Sequence, residues 1–169
     1  MEELINGIIS IPFISQLANL HGLLAMLSLV FFGSSFALYF FSNKIKDSIR
    51  WLKLTLAALF TVLVLLDLMG LIIYVPYRSV GGAKSLLVAS KDTAWLHEII
   101  FEHKEFLAYA PPLLIFSALF IVLKLGDSFT DNQKYRYLRL AVINSSVLAL
   151  IFVLVVAAEA VLVTKAAPL

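Results

Sequence analysis

The chain contains no cysteine in 169 residues. That absence excludes disulfides, thiolate-held iron–sulfur clusters and thioether-attached c-type haem, so any metal must be held by histidine, carboxylate or another nitrogen or oxygen ligand. Charge is scarce too: Asp, Glu, Lys and Arg make up 14% of the residues, and the net charge is +2. The basic residues lie in short loops rather than in a patch interleaved with exposed aromatics, so nucleic-acid binding has no support. The N-terminus MEELINGIIS carries two acids and no basic residue before its apolar stretch, which is wrong for a secretory signal. The first 16 residues read as part of the mature chain and as a short interfacial helix. There is no internal repeat, and RSVGGAKS, Arg78 to Ser85, lacks the G-x-x-x-x-G-K spacing of a phosphate loop.

What the chain has in abundance is apolar surface: 62% of its residues are hydrophobic, well above the usual share for a soluble domain. A spanning helix needs about 20 mostly apolar residues. The runs Leu23 to Phe41, Leu54 to Val75, Phe106 to Leu123 and Leu140 to Val163 qualify, predicting spans at about 20–41, 54–75, 103–125 and 138–163 with an outer segment 76–102. Lys44, Lys46, Arg50 and Lys53 fill the first connection, and Lys124, Lys134, Arg136 and Arg139 crowd the third. The positive-inside rule then puts loops 42–53 and 124–139 in the cytoplasm and both termini outside. Short connections predict an all-α, up-down-up-down transmembrane four-helix bundle, a single domain over 1–169 of a multi-pass protein surrounded by membrane lipid. Gly22, Ala25, Ser28, Gly33, Ser34, Ser35 and Ala37 let a neighbouring helix or a flat cofactor approach the first span, and plain helix contact is the simpler account. Asp92 and Thr93 suit a helix N-cap ahead of AWLHEIIFEHKEFLAYA, and Pro111 with Pro112 predicts a kink or break just inside the third span.

The chemistry-bearing residues gather at the outer end. His21 opens the first span and His103 lies just before the third, so both imidazoles sit at nearly equal depth. His97 stands about 9 Å further out along the same helix as His103. Two imidazoles on facing helices at matched depth are what one b-type haem requires. His21 and His103 are therefore candidate iron ligands, with His97 the substitute, and Arg78, Lys84 and Lys104 are candidate partners for the propionates. A non-haem metal held by His97, Glu98, Glu102 and His103 is an alternative, although the spacing is neither H-E-x-x-H nor E-x-x-H. Glu98, Glu102 and Glu105 on one helical stripe also fit a solvated face pairing with Lys104, Lys91 and Arg78. Asp67 lies about 12 Å and Glu159 about 6 Å below the outer ends of their spans. Intramembrane acids of this kind need a partner, a proton or a polar cavity, and both are candidates for proton handling.

The stretch LHGLLAMLSLVFFGSSFALYFFSNK resembles the ascorbate-dependent transmembrane b-type cytochromes. In that family a His opens a helix with Leu and Met soon after, a Gly follows near the middle, and a Tyr and a basic residue end it; His21, Leu24, Met26, Gly33, Tyr39 and Lys44 stand in comparable places. The family pairs histidines from alternate helices, which implies His21 with His103. It also carries a second haem toward the other face, where this chain has no histidine. The resemblance therefore implies at most one outer-side haem b, and neither a transmembrane electron wire nor the ascorbate substrate. Three functions remain open at this point. One is a cytochrome-like subunit passing electrons between an outer-side partner and the quinone pool within a respiratory complex. The others are a cofactor-free structural or accessory subunit and a non-haem metal enzyme.

Overall fold

The computed structural model describes residues 12–131 and 133–166. Most of the expected interfacial helix, residues 1–11, lies outside the described residues; residues 13–16 belong to the first long helix. The elements are α1 (Phe13–Phe40), α2 (Ser48–Arg78), α3 (Ala83–Ala89), a π-helical turn (Leu96–Phe101), α4 (Glu102–Ala108), α5 (Ala110–Leu125), a 3-10 turn (Gly126–Thr130) and α6 (Arg136–Ala166). No strand occurs among the described residues. From Leu96 to Thr130 the chain forms one helical run of 35 residues, and with α1, α2 and α6 it makes four helices long and apolar enough to cross a membrane. These fit a multi-pass membrane protein, and the large apolar side chains left exposed along them, such as Leu23, Met26, Leu68, Phe116, Phe120 and Leu154, suit a lipid surround.

The helices start and stop for local reasons. Helix α2 runs through Pro76 and ends two residues later, where Ser79 turns extended and Gly81 takes a φ of +80°. At the adjacent Gly82 a Cβ would collide with the carbonyl oxygens of Pro76 and Tyr77, so only glycine closes this turn. Near the two prolines the helical run departs from regular α-helix at Tyr109 alone, whose backbone stays right-handed helical, and Pro111 and Pro112 fall in the first turn of α5, where a missing N–H is least harmful. The expected N-cap at Asp92 and Thr93 is not formed. Thr93 Oγ1 instead donates to the Leu87 carbonyl at 2.7 Å, tying the connection back onto α3, and the helical run takes up at Ala94 with no side-chain cap from either residue.

Two apolar clusters hold the bundle. The larger is built from Phe32 of α1, Leu52, Leu56, Leu59 and Leu63 of α2, Ile115, Ala118 and Val122 of α5, and Val142 and Ala149 of α6. On α2 these leucines recur at intervals of three and four residues, which keeps them on one face. The stripe that α1 turns inward is Ser28, Phe32 and Ser35; Gly22 and Gly33 face open space, so the close approach uses the serines rather than the glycines. Ser28, Ser35 and Ser146 return their hydroxyls to carbonyls of their own helices, which lets them pack as small side chains. The smaller cluster comprises Tyr77, Ala83, Leu87, Leu96, Phe101 and Val163.

At the end carrying the cationic loops, Tyr39 Oη donates to the Arg139 carbonyl at 3.0 Å. The Arg139 guanidinium covers the rings of Tyr39 and Phe129 and donates to the Phe129 carbonyl. One arginine therefore joins the ends of α1 and α6 to the 3-10 turn.

Candidate functional site

Between the two clusters lies a cavity of about 610 Å³. Its walls come from the first turns of α1, the last half of α2, α4 with the start of α5, and the last third of α6. The α2 wall continues the leucine stripe of the core. After Leu63 the same face presents Leu66 and Asp67, then Gly70, then Tyr74 and Tyr77, all of which line the cavity. Packing thus gives way to polar and aromatic groups along one helical face, without any change in secondary structure.

His21 of α1 lines this cavity, and its Nδ1 is buried with no hydrogen-bond partner among the described residues. An unsatisfied buried nitrogen costs about 1–3 kcal/mol. Its ring lies beside Gly70, where a Cβ would stand 3.9 Å from Cε1, in ordinary contact; a side chain longer than alanine's would compete with the imidazole for space. Asp67, one turn earlier on α2, also lines the cavity and makes no side-chain hydrogen bond or ion pair among the described residues. From α4 come Lys104, whose Nζ stands 4.5 Å from the centroid of the Phe101 ring, and Glu105. The Lys104 ammonium is within electrostatic reach of His21, Glu105 and Glu159.

The other histidines have separate partners. His97 is buried, and its Nδ1 is 3.0 Å from the Tyr77 hydroxyl while its Nε2 is 3.8 Å from Glu102 Oε1. His103 is 56% exposed at its side chain and holds Glu159 Oε1 through Nδ1 at 2.6 Å; the second carboxylate oxygen of Glu159 is buried and unpartnered among the described residues. His103 shares an exposed stripe with Ile99 and Phe106. Only His21 among the three imidazoles belongs to the described cavity wall, so the matched depth of His21 and His103 does not bring both to it.

The remaining candidates divide similarly. Lys104 lines the cavity, whereas Arg78 and Lys84 flank a second, shallow hollow beyond the end of α2. Arg78 binds Glu102 at 3.0 Å and Glu105 at 3.7 Å and stacks over Tyr74. Glu102 and Glu105 therefore behave as the paired acidic stripe that the spacing suggested, and Glu98 is exposed. Among the described residues no group of three or more His, Asp or Glu side chains could hold a metal ion.

Of the positions behind the cytochrome resemblance, His21 reaches the cavity. Met26 and Gly33 face outward, and Tyr39 serves the Arg139 contact at the opposite end. Gly70, Tyr74, Tyr77 and Phe101 line the cavity too, and no functional motif marks them. Three stacked rings join them: Tyr77 lies 4.1 Å from Phe101 at 6°, and Tyr74 lies 5.5 Å from Phe101 at 13°. Their sequence signal is the lone glycine inside the long apolar run of α2, followed by tyrosines at i+4 and i+7 from it. No protein-family model, no curated protein and no solved structure matches this chain.

Proposed function

We propose that this chain is a quinone-binding membrane subunit of a respiratory electron-transfer complex, with the quinone head group in the His21 cavity. The carrying observation is the unpartnered, buried Nδ1 of His21 in an otherwise largely apolar and aromatic cavity. A quinone offers two carbonyl oxygens on a flat ring with an apolar tail. His21 would serve one oxygen, Lys104 or Asp67 would exchange protons and hydrogen bonds with the other, and the stacked rings of Tyr74 and Phe101 would form an aromatic wall beside the head group.

The loop cations favour an up-down-up-down arrangement with loops 42–53 and 124–139 cytoplasmic and both termini outside. On that orientation the cavity lies toward the outer surface, accessible to an outer-side electron-transfer partner.

Haem b on His21 is the second reading, and it is the one the cytochrome resemblance implies. One observation favours it: a carboxylate on Nδ1 leaves the other ring nitrogen of His103 free, as in metal-ligating histidines. Against a bis-imidazole haem, the cavity wall holds one histidine. Titration of the purified protein with a short-chain benzoquinone, together with its reduced-minus-oxidised absorbance spectrum, separates the two. Loss of one hydrogen bond in His21→Ala should weaken benzoquinone binding about tenfold, near 1.4 kcal/mol. A low-spin haem spectrum lost in both His21→Ala and His103→Ala would establish the haem reading instead. Absence of both quinone binding and haem would leave a cofactor-free subunit.

A further inference from the structure

The buried pair Tyr77 and His97 stands between the cavity and the exposed carboxylate of Glu102. Tyr77 lines the cavity and its hydroxyl meets His97 Nδ1 at 3.0 Å. On the other side of the ring, His97 Nε2 stands 3.8 Å from Glu102 Oε1, and Glu102 is 39% exposed at its side chain. A phenol donating to Nδ1 leaves the proton of a neutral imidazole on Nε2, the nitrogen that faces the carboxylate. The π-helical turn Leu96–Phe101 places His97 against Tyr77 of α2 while Phe101 stacks on the same tyrosine. The charged groups around His97 are Arg78 of α2, Lys84 of α3, and Glu98 and Glu102 of its own helical run. Cations and acids are thus balanced around it, and Arg78 anchors Glu102 in place.

We infer that Tyr77, His97 and Glu102 form a proton exit route from the cavity, a role that rests on the quinone reading. When a bound quinol is oxidised, two electrons pass to a one-electron acceptor of the outer-side partner in successive steps, and two protons must leave. One proton moves from the quinol hydroxyl to Tyr77 Oη as the phenolic proton passes to His97 Nδ1. The imidazolium then releases its Nε2 proton to Glu102 and water, which leaves the ring protonated on Nδ1; reorientation of the imidazole with exchange of that proton through water restores the starting tautomer without returning the exported proton. The second quinol proton goes to the Asp67 carboxylate and passes from there to water entering the cavity as the quinone leaves.

The test uses the full-length protein loaded with a short-chain benzoquinol and oxidised by a soluble one-electron mediator, with the rate measured per bound quinol in H2O and D2O. Quinone affinity is measured separately. His97→Ala should slow oxidation roughly a hundredfold, the scale of a lost general acid–base group, and abolish much of the solvent isotope effect. Added imidazole and methylimidazoles should restore the rate in the order of their basicity, which a packing defect would not produce. Tyr77→Phe keeps the ring stack and should be slowed without rescue by imidazole. Wild-type rates in both variants, at retained quinol binding, would overturn the relay and leave the quinone reading standing. A wild-type protein that binds no benzoquinone would overturn both.

Discussion

Gly70 offers the sharpest test of the cavity, because its two simplest replacements should act in opposite directions. A Cβ at this position would meet His21 Cε1 at 3.9 Å, ordinary van der Waals contact, and no other atom within 4 Å. Gly70→Ala therefore fits without displacement. In a helix interior the exchange removes the conformational freedom of glycine, a gain of about 0.5–1 kcal/mol, or about 2–4 °C in Tm for a gain of 1 kcal/mol in a chain of this size. Gly70→Leu extends beyond that contact, into the space between the His21 ring and the facing helices. It should keep the helix, since leucine is a good helix former, and should weaken benzoquinone binding by about tenfold or more, equivalent to about 1.4 kcal/mol. Thermal unfolding in detergent and a binding titration on the same samples read both effects. Wild-type affinity in Gly70→Leu would refute the placement of the ligand beside His21. Destabilisation of Gly70→Ala would refute the packing of His21 against α2.

Three further outcomes are expected. Asp67→Leu removes an unpaired carboxylate from a spanning helix, where acids cost about 2.5–3.5 kcal/mol on insertion scales, so thermal stability should hold or rise while proton-coupled turnover of bound quinol falls; loss of folded protein would identify a structural contact instead. His103→Ala leaves Glu159 buried with neither carboxylate oxygen partnered, which should lower stability by about 1 kcal/mol, the low end for an orphaned group because His103 is largely exposed. Combining it with Glu159→Leu should recover that loss in the same unfolding assay. Reporters fused at Asp131 and Gly81 should label as cytoplasmic and external respectively, and the opposite labelling would turn the cavity toward the cytoplasm.

The four spans were legible because they rest on local properties. An apolar run of sufficient length has no stable way to cross lipid other than as a helix, since each backbone group must find its partner within the segment. Depth was legible for a similar reason: a fixed rise per residue places His21, Asp67, His103 and Glu159 toward one end whatever their neighbours do. Azimuth was not. Consecutive residues on a helix point about 100° apart, and that rotation decides that Lys104 enters the cavity while His103, its neighbour in sequence, turns to Glu159 on α6. The π-helical turn before them adds a phase shift that no apolar pattern announces. Which face of each helix meets which partner depends on how all four pack at once, so the single imidazole in the cavity, the glycine beside it and the Tyr77 to Glu102 path belong to the tertiary structure alone.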